Sequence, residues 1–138
     1  MSDIHETAVI EDGAQLGDDV SIGPYTVISS DTTVGDGTEI GPHVVTKGIV
    51  ESGADNQIGA GTIIGTKPQD WSYEGEATGV VIGSGNVIRE YVTINRSSSG
   101  PDGDTVIGDE NMIMTYCHVA HDCELGNDIS MANGVTLA

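Results

Sequence analysis

Residues 16–41 read LGDDVSIGPYTVISSDTTVGDGTEIG, in which an aliphatic residue returns at every sixth position: Leu16, Ile22, Ile28, Val34 and Ile40. The same period begins at Ile4 and ends at Leu137, and from Ile107 onward it runs one residue out of step. A period of six is neither that of an α-helix nor that of a simple alternating strand. It predicts short strands separated by turns, with the aliphatic side chains pointing inward.

A glycine follows many of these aliphatic positions, as in Ile22-Gly23 and Val34-Gly35. We interpret these glycines as turn residues that must tolerate an unusual φ. If three hexads make one triangular coil, residue i lies beneath residue i+18, and successive coils are ~4.8 Å apart. This arrangement predicts one vertical stack formed by Ile4, Ile22, Ile40 and Ile58.

The whole chain, residues 1–138, is therefore predicted to be one all-β domain, a single-stranded parallel β-helix of about six coils. Two breaks in the period mark insertions, which we predict as loops at residues 66–80 and 96–105. The interval from Ile64 to Ile94 is 30 residues, and the interval from Ile94 to Val119 is 25. Both insertions are thus expected to leave the helix from the same side.

The same two intervals separate Asn56, Asn86 and Asn111. These residues are expected to stack as an inward ladder that satisfies its own amide groups. Since two independent rows agree on the register, and His121 lies two residues after Val119, both loops and this histidine should meet at one corner. We expect the chemistry of the protein there.

Charge and composition exclude several function classes. The chain has 22 acidic residues against four Lys and Arg, a net charge of −18, which disfavours binding to nucleic acid and to anionic membranes. No apolar run approaches membrane-spanning length, and Met1 leads directly into the repeat without a signal peptide, so a cytoplasmic protein is predicted. The thin aliphatic column favours packing against other subunits.

The segment from His118 to Cys123 holds two of the four histidines, His118 and His121. His5 and His43 lie coils away, so a metal site with three ligands is not expected. We identify His121 as a candidate general base, with Asp122 fixing its tautomer and stabilising the imidazolium. Because neighbouring residues of a strand point to opposite faces, this pair needs a corner. The alternative is a surface histidine beside a surface carboxylate.

Four segments together resemble a known family, the bacterial acyl-carrier-protein:UDP-N-acetylglucosamine O-acyltransferases of lipid A synthesis. They are IHETAVI at 4–10, QDWSYEGEAT at 69–78, NVIREYVTINR at 86–96 and HVAHDC at 118–123. The resemblance runs along essentially the whole chain and corresponds to the N-terminal half of the family. The hexads alone would indicate only the wider group of sugar acyl-, acetyl- and succinyltransferases.

The resemblance implies a left-handed parallel β-helix, an exception to the usual right-handed crossover. It implies a homotrimer with active sites between subunits, and it requires no metal and no cofactor. The residue matching His121 would be the general base that activates the 3-hydroxyl, or in some members the 3-amine, of UDP-N-acetylglucosamine. The activated group attacks the thioester of a hydroxyacyl carrier protein, with Asp122 assisting the base.

The implied substrate contacts are His118, which lines the cleft, Gln69 and Asp70 on the sugar side, and Asn95 with Arg96 at the end of the third segment. The chain departs from the family at two of the quoted segments, because a lysine usually stands where Ser72 is and a histidine where Asn95 is. Family members are also about twice as long, so the C-terminal helical domain is expected to be absent here. Docking of an acidic carrier protein would rest on only four cations.

Two other hypotheses stay open at this point. In the first, the chain is a catalytically incomplete trimeric scaffold or a sugar-nucleotide-binding module. In the second, it is another hexapeptide acetyl- or acyltransferase with the same β-helix. Acyl transfer to UDP-N-acetylglucosamine, sugar-nucleotide binding without turnover, and consumption of acetyl-CoA would separate the three.

Overall fold

The computed structural model describes residues 1–99 and 103–138, and within them the chain forms twenty short β-strands and no helix. The strands pair in parallel and build three sheets, each of which is one side of a triangular coil. Within the described ranges there is accordingly no helix long and apolar enough to cross a lipid bilayer.

Consecutive strands belong to different sheets, and each sheet takes every third strand. The first sheet contains β1 (Asp3–Ile4), β4 (Ser21–Ile22), β7 (Glu39–Ile40), β10 (Gln57–Ile58), β13 (Val87–Ile88), β16 (Met112–Ile113) and β19 (Ser130–Met131). The second contains β2 (Val9–Ile10), β5 (Val27–Ile28), β8 (Val45–Thr46), β11 (Ile63–Thr66), β14 (Thr93–Asn95), β17 (His118–Val119) and β20 (Thr136–Leu137). The third contains β3 (Gln15–Leu16), β6 (Thr32–Val34), β9 (Ile49–Ser52), β12 (Gly79–Ile82), β15 (Asp104–Ile107) and β18 (Glu124–Leu125).

Seven, seven and six strands make six complete coils and two thirds of another, which confirms the predicted β-helix. The register follows the sequence period, because Ile4 pairs with Ile22, Ile22 with Ile40 and Ile40 with Ile58. The inward aliphatic side chains form one continuous core, and Ile28, Ile64 and Ile94 are completely buried. Each contributes about 1.5–3 kcal/mol by leaving water.

The glycines that follow the aliphatic positions serve the close stacking of coils. A Cβ atom at Gly35 would lie 2.4 Å from the carbonyl carbon of Gly53 in the next coil, and one at Gly23 would lie 2.8 Å from that of Gly41. Neither Gly23 nor Gly35 has a positive φ, so the prediction of an unusual φ is wrong at these positions. Positive φ falls on later residues of the turns instead, including Asp19 with a φ of 55°.

The predicted asparagine ladder is confirmed. The Oδ1 atom of Asn56 accepts hydrogen bonds from the backbone N–H of Asn86 at 2.8 Å and from its Nδ2 at 3.1 Å. The Oδ1 atom of Asn86 in turn accepts from the backbone N–H of Asn111 at 2.9 Å. All three side chains are buried, and the ladder therefore holds the register across both insertions.

The strands confine the two insertions to residues 67–78 and 96–103, which is narrower than the predicted loops at 66–80 and 96–105. Thr66 is still part of β11, β12 begins at Gly79, and β15 begins at Asp104. Residues 100–102 of the second predicted loop lie outside the described residues.

Candidate active site

Both insertions and the candidate base leave the helix at the same corner. Strands β11, β14 and β17 are neighbours in the second sheet, with Ile64 paired to Ile94 and Ile94 paired to Val119. The first insertion follows β11, the second follows β14, and His121 follows β17. The predicted convergence on one corner is confirmed.

His121 and Asp122 occupy the turn that closes this corner. Asp122 has a φ of 66°, a left-handed conformation that short polar residues tolerate better than most, and this bends the chain between the two side chains. The imidazole Nδ1 donates to Asp122 Oδ2 over 2.9 Å, and the two side chains are 29% and 32% exposed. With Nδ1 held by the carboxylate, Nε2 is the nitrogen available to an incoming hydroxyl.

Asp122 is held from below by three consecutive serines of the second insertion. The hydroxyls of Ser97, Ser98 and Ser99 all donate to its carboxylate, and the backbone N–H of Ser98 donates to Oδ1 over 3.0 Å. Burial works to raise the pKa of Asp122, but the hydrogen bonds from His121 and the three serines outweigh it and hold the pKa far below its usual range. Asp122 is therefore an ionised partner for the imidazole.

Composition alone does not mark the three serines as site residues, because a serine-rich run is typical of a linker. The 25-residue interval between neighbouring coils was the signal that could have placed these serines beside Asp122. Ser97 precedes Asp122 by 25 residues, the same spacing that separates Ile94 from Val119. Ser98 Oγ also lies 3.3 Å from His121 Nδ1, so this loop touches both members of the pair.

The first insertion brings Gln69 and Asp70 to a cavity of 490 Å³ beside this corner, lined also by Lys67, Pro68, Trp71 and Tyr73. Ser72 orients the carboxylate, because its backbone N–H and its hydroxyl donate to Asp70 Oδ1 over 2.9 and 2.8 Å. These two hydrogen bonds lower the pKa of Asp70, and the positive charge that His121 can carry acts in the same direction. Asp70 thus belongs to the insertion that leaves the helix at the corner where His121 lies.

His118 stands on β17 on the same side of the helix. Its Nδ1 is hydrogen-bonded to Thr93 Oγ1 at 2.7 Å, and the two residues are register partners in adjacent strands. The half-buried ring is thereby fixed in one orientation, next in the chain to the His121 turn. Among the described residues no group of three or more His, Cys, Asp and Glu side chains could hold a metal ion.

Asn95 and Arg96, the remaining predicted substrate contacts, lie at the base of the first insertion. Asn95 is 4% exposed, and its Nδ2 donates to Thr66 Oγ1 at 3.1 Å and to the Lys67 carbonyl at 2.9 Å. Arg96 Nε donates to the Gly65 carbonyl at 2.7 Å. Both side chains therefore anchor the base of the first insertion, because their partners lie where that insertion leaves β11.

The fold and the site define a class, a hexapeptide-repeat β-helix with a histidine and carboxylate pair at a loop-bearing corner. The profile described as "Bacterial transferase hexapeptide (six repeats)" matches residues 13–48 and 104–138. The chain belongs to this bacterial transferase hexapeptide family.

Within the family the chain is similar to one kind of enzyme. It is 51% identical over its full length to the acyl-[acyl-carrier-protein]:UDP-N-acetylglucosamine O-acyltransferase of Thermodesulfovibrio yellowstonii, of which it covers 54%. The corresponding protein of Halorhodospira halophila is 48% identical, and the chain again covers 54% of it. The chain spans about half the length of the curated relatives it matches.

Solved structures agree with these relatives. The UDP-N-acetylglucosamine acyltransferase of Campylobacter jejuni has a TM-score of 0.92 at 47% identity, covering 98% of this chain and 52% of that one. That of Francisella novicida has a TM-score of 0.94 at 39% identity, covering 98% of this chain and 49% of that one. The predicted resemblance to these acyltransferases is confirmed, and the fold is the left-handed parallel β-helix.

Proposed function

We propose that this chain transfers a hydroxyacyl group from an acyl carrier protein to the 3-hydroxyl of UDP-N-acetylglucosamine, with His121 as the general base. The observation that carries the proposal is the hydrogen-bonded pair of His121 and Asp122 at the corner reached by Asp70. Relatives at 48–51% identity carry this acyltransferase name, which supports the choice of acceptor and donor.

The proposed reaction begins when His121 Nε2 removes the proton of the sugar hydroxyl. The resulting oxygen nucleophile attacks the thioester carbonyl, and the tetrahedral intermediate collapses as the carbon–sulfur bond breaks. The imidazolium returns its proton to the departing thiolate, so the products are an ester and a free thiol. Asp122 stabilises the positive charge that His121 carries between these two proton transfers.

Ser97, Ser98 and Ser99 keep Asp122 ionised and in position for this mechanism. A carboxylate that accepts several hydrogen bonds stays ionised and keeps its position beside Nδ1. Gln69 and Asp70 are proposed to bind the acceptor sugar from the side of the first insertion, and His118 to line the cleft. Asn95 and Arg96 are proposed to position the first insertion, because they contact its base, and Arg96 also lines the cavity beside that insertion.

The proposed function includes an oligomeric state, the homotrimer. The family resemblance favours a homotrimer in the cytoplasm with the site between subunits, and the exposed corner of the single chain is compatible with a wall supplied by a neighbour. Acyl carrier protein is the proposed donor. Sedimentation of the purified chain as a monomer would contradict the trimeric site.

The decisive experiment is acyl transfer by the purified chain, with hydroxyacyl carrier protein and UDP-N-acetylglucosamine as substrates and the acylated sugar nucleotide measured by mass spectrometry. The variant His121→Ala is expected to lower turnover by about 10²–10⁴-fold, the usual range for loss of a general base. The control is His5→Ala, which removes an exposed histidine of the first coil.

Each alternative has its own outcome in this experiment. Undiminished turnover by His121→Ala would contradict the assigned base. Binding of the sugar nucleotide by the wild-type chain without turnover would favour a binding module, and consumption of acetyl-CoA would favour another hexapeptide transferase. Circular dichroism of each variant establishes that the β-helix has formed.

A further inference from the structure

Positive charge is scarce in this chain and concentrated at one place. The sequence has only four Lys and Arg residues against 22 acidic ones. Lys47, Lys67 and Arg96 line the same cavity of 460 Å³, together with Thr66, Tyr73 and Gly75. The fourth cation, Arg89, lies elsewhere and pairs with Glu90, with 2.9 Å between Nε and Oε2.

Within the described part of the chain, the three clustered cations have no carboxylate partner. Among residues 1–99 and 103–138 the only Lys or Arg side chain that pairs with a carboxylate is Arg89, and no carboxylate lines the cavity. Like charges placed together repel one another. Three cations that face one cavity, with no counter-charge among the residues that the structure describes, are therefore arranged to receive an anion.

The arginine of this cluster is held in place before any ligand arrives. Arg96 Nε donates to the Gly65 carbonyl at 2.7 Å, and its backbone N–H donates to the Thr66 carbonyl at 2.9 Å. The guanidinium packs over Gly48, where a Cβ atom would lie 2.9 Å from a terminal nitrogen and where φ is 74°. Gly48 thus leaves the space that the guanidinium occupies.

The lysines complete the cavity from two different coils. Lys47 follows β8, and Lys67 follows β11, one coil further along. The backbone of Lys67 is fixed by the hydrogen bond from Asn95 Nδ2 to its carbonyl at 2.9 Å. The hydroxyl of Tyr73 donates to the Glu76 carbonyl at 2.7 Å, so its ring forms a wall of the cavity.

We infer that this cavity binds a phosphate group. A guanidinium offers a planar fork and an ammonium offers a mobile point charge, and together these donors suit the several oxygens of a phosphate better than the two of a carboxylate. The phosphate is either a free ion or part of a phosphate ester. The cavity shares Lys67 and Tyr73 with the one that holds Gln69 and Asp70, so a sugar nucleotide at the latter would bring its phosphates to these cations. That second source rests on the proposed function.

The test is titration of the purified chain with inorganic phosphate and, separately, with UDP-N-acetylglucosamine at low ionic strength, followed by ³¹P nuclear magnetic resonance. Lys47→Gln and Lys67→Gln are each expected to weaken phosphate binding about tenfold, the usual worth of a charge-assisted hydrogen bond. Arg89→Gln is the matched control, because it removes the same charge outside the cavity, and its affinity is expected to stay within twofold.

The two sources are separated by comparing the ligands. Inorganic phosphate bound as tightly as the nucleotide assigns the site to a free ion, and a nucleotide bound at least tenfold more tightly, with the advantage lost in Lys47→Gln, assigns it to the ester. Equal weakening by Lys47→Gln and Arg89→Gln, or no saturable binding of either ligand, would overturn the inference. Phosphate binding by His121→Ala is expected to equal that of the wild type, which separates this site from the proposed catalysis.

Discussion

At the scale of single residues, Asp122 gathers the most contacts of functional interest. One carboxylate accepts hydrogen bonds from an imidazole and from the hydroxyls of Ser97, Ser98 and Ser99, although it is 32% exposed. These donors favour its charged form, and the charged form is the one that stabilises a protonated imidazole. The second insertion therefore keeps the carboxylate beside His121, the proposed base, in its charged form.

Asp122→Asn is expected to change how stability depends on pH. Because the pKa of Asp122 is lowered on folding, the wild-type carboxylate contributes stability that is fully present above its unfolded pKa of about 3.9. This contribution is lost as pH falls from about 3.9 toward the lower folded pKa. The difference in urea midpoint between wild type and Asp122→Asn should thus be largest above pH ~5 and should shrink on acidification.

The same variant separates a structural from a catalytic role. If Asp122 only held the second insertion, turnover per folded molecule would stay unchanged, whereas loss of the charge beside His121 is expected to lower it by at least ~10²-fold. A pH-independent difference in urea midpoint would contradict the assigned low pKa.

Ser98→Ala is expected to act on the base through Asp122. The change removes one hydroxyl donor to the carboxylate, worth about 1 kcal/mol, so turnover should fall about fivefold. The pH profile of turnover is expected to shift as well, which a purely structural serine would not cause. Ser130→Ala on β19 is the control, since its exposed hydroxyl makes no hydrogen bond to the described residues.

At the scale of elements, the repeating unit is a coil whose neighbours approach so closely that particular positions admit no side chain. Gly35 and Gly126 both follow an inward aliphatic residue, yet their surroundings differ. A Cβ atom at Gly35 would lie 2.4 Å from backbone of the next coil, whereas one at Gly126 would have its nearest neighbour 4.0 Å away, at Ile129 Cδ1. Neither glycine has a positive φ, so the pair isolates the effect of spacing.

Gly35→Ala is expected to destabilise the chain by about 1–3 kcal/mol, because backbone must move to accept the methyl group. Gly126→Ala is expected to stay within about 0.5 kcal/mol of wild type. Urea unfolding followed by circular dichroism measures both. Equal losses for the two variants would show that glycine is needed for its conformation rather than for the distance between coils.

Much of this element-level order could be predicted from the sequence, because a parallel β-helix converts spacing directly into register. The intervals of 30 and 25 residues placed both insertions and His121 at one corner, and Asn56, Asn86 and Asn111 confirmed the alignment. The insertions themselves follow no period. Their contacts, such as the serines on Asp122, depend on side chains that meet only after the coils have stacked.

The same reason accounts for Asn95 and Arg96. The family resemblance implies substrate contacts for both, and the structure adds that both side chains contact the start of the first insertion in the adjacent coil. A pattern in one dimension indicates which corner a residue occupies. It does not indicate whether the side chain turns outward to a ligand or sideways to a neighbouring loop.

At the scale of the whole molecule, the net charge of −18 produces repulsion among many carboxylates at once. Mutual repulsion among the carboxylates opposes the compact state, and salt screens it over about 10 Å at 0.1 M. Raising NaCl from 0.01 to 0.15 M is therefore expected to raise the urea midpoint. A midpoint that stays constant or falls would mean that attractive pairs, which salt also weakens, outweigh the repulsion.

The two insertions end at β12 and β15, strands that keep their register with the coils on either side. Their lengths are thus uncoupled from the frame, since residues gained or lost between Thr66 and Gly79, or between Asn95 and Asp104, leave every later coil where it stands. Changes in loop length at this corner can therefore alter the surroundings of His121 without moving the core. The coils of the β-helix thus form a constant frame, and the two insertions are the parts that can change in length.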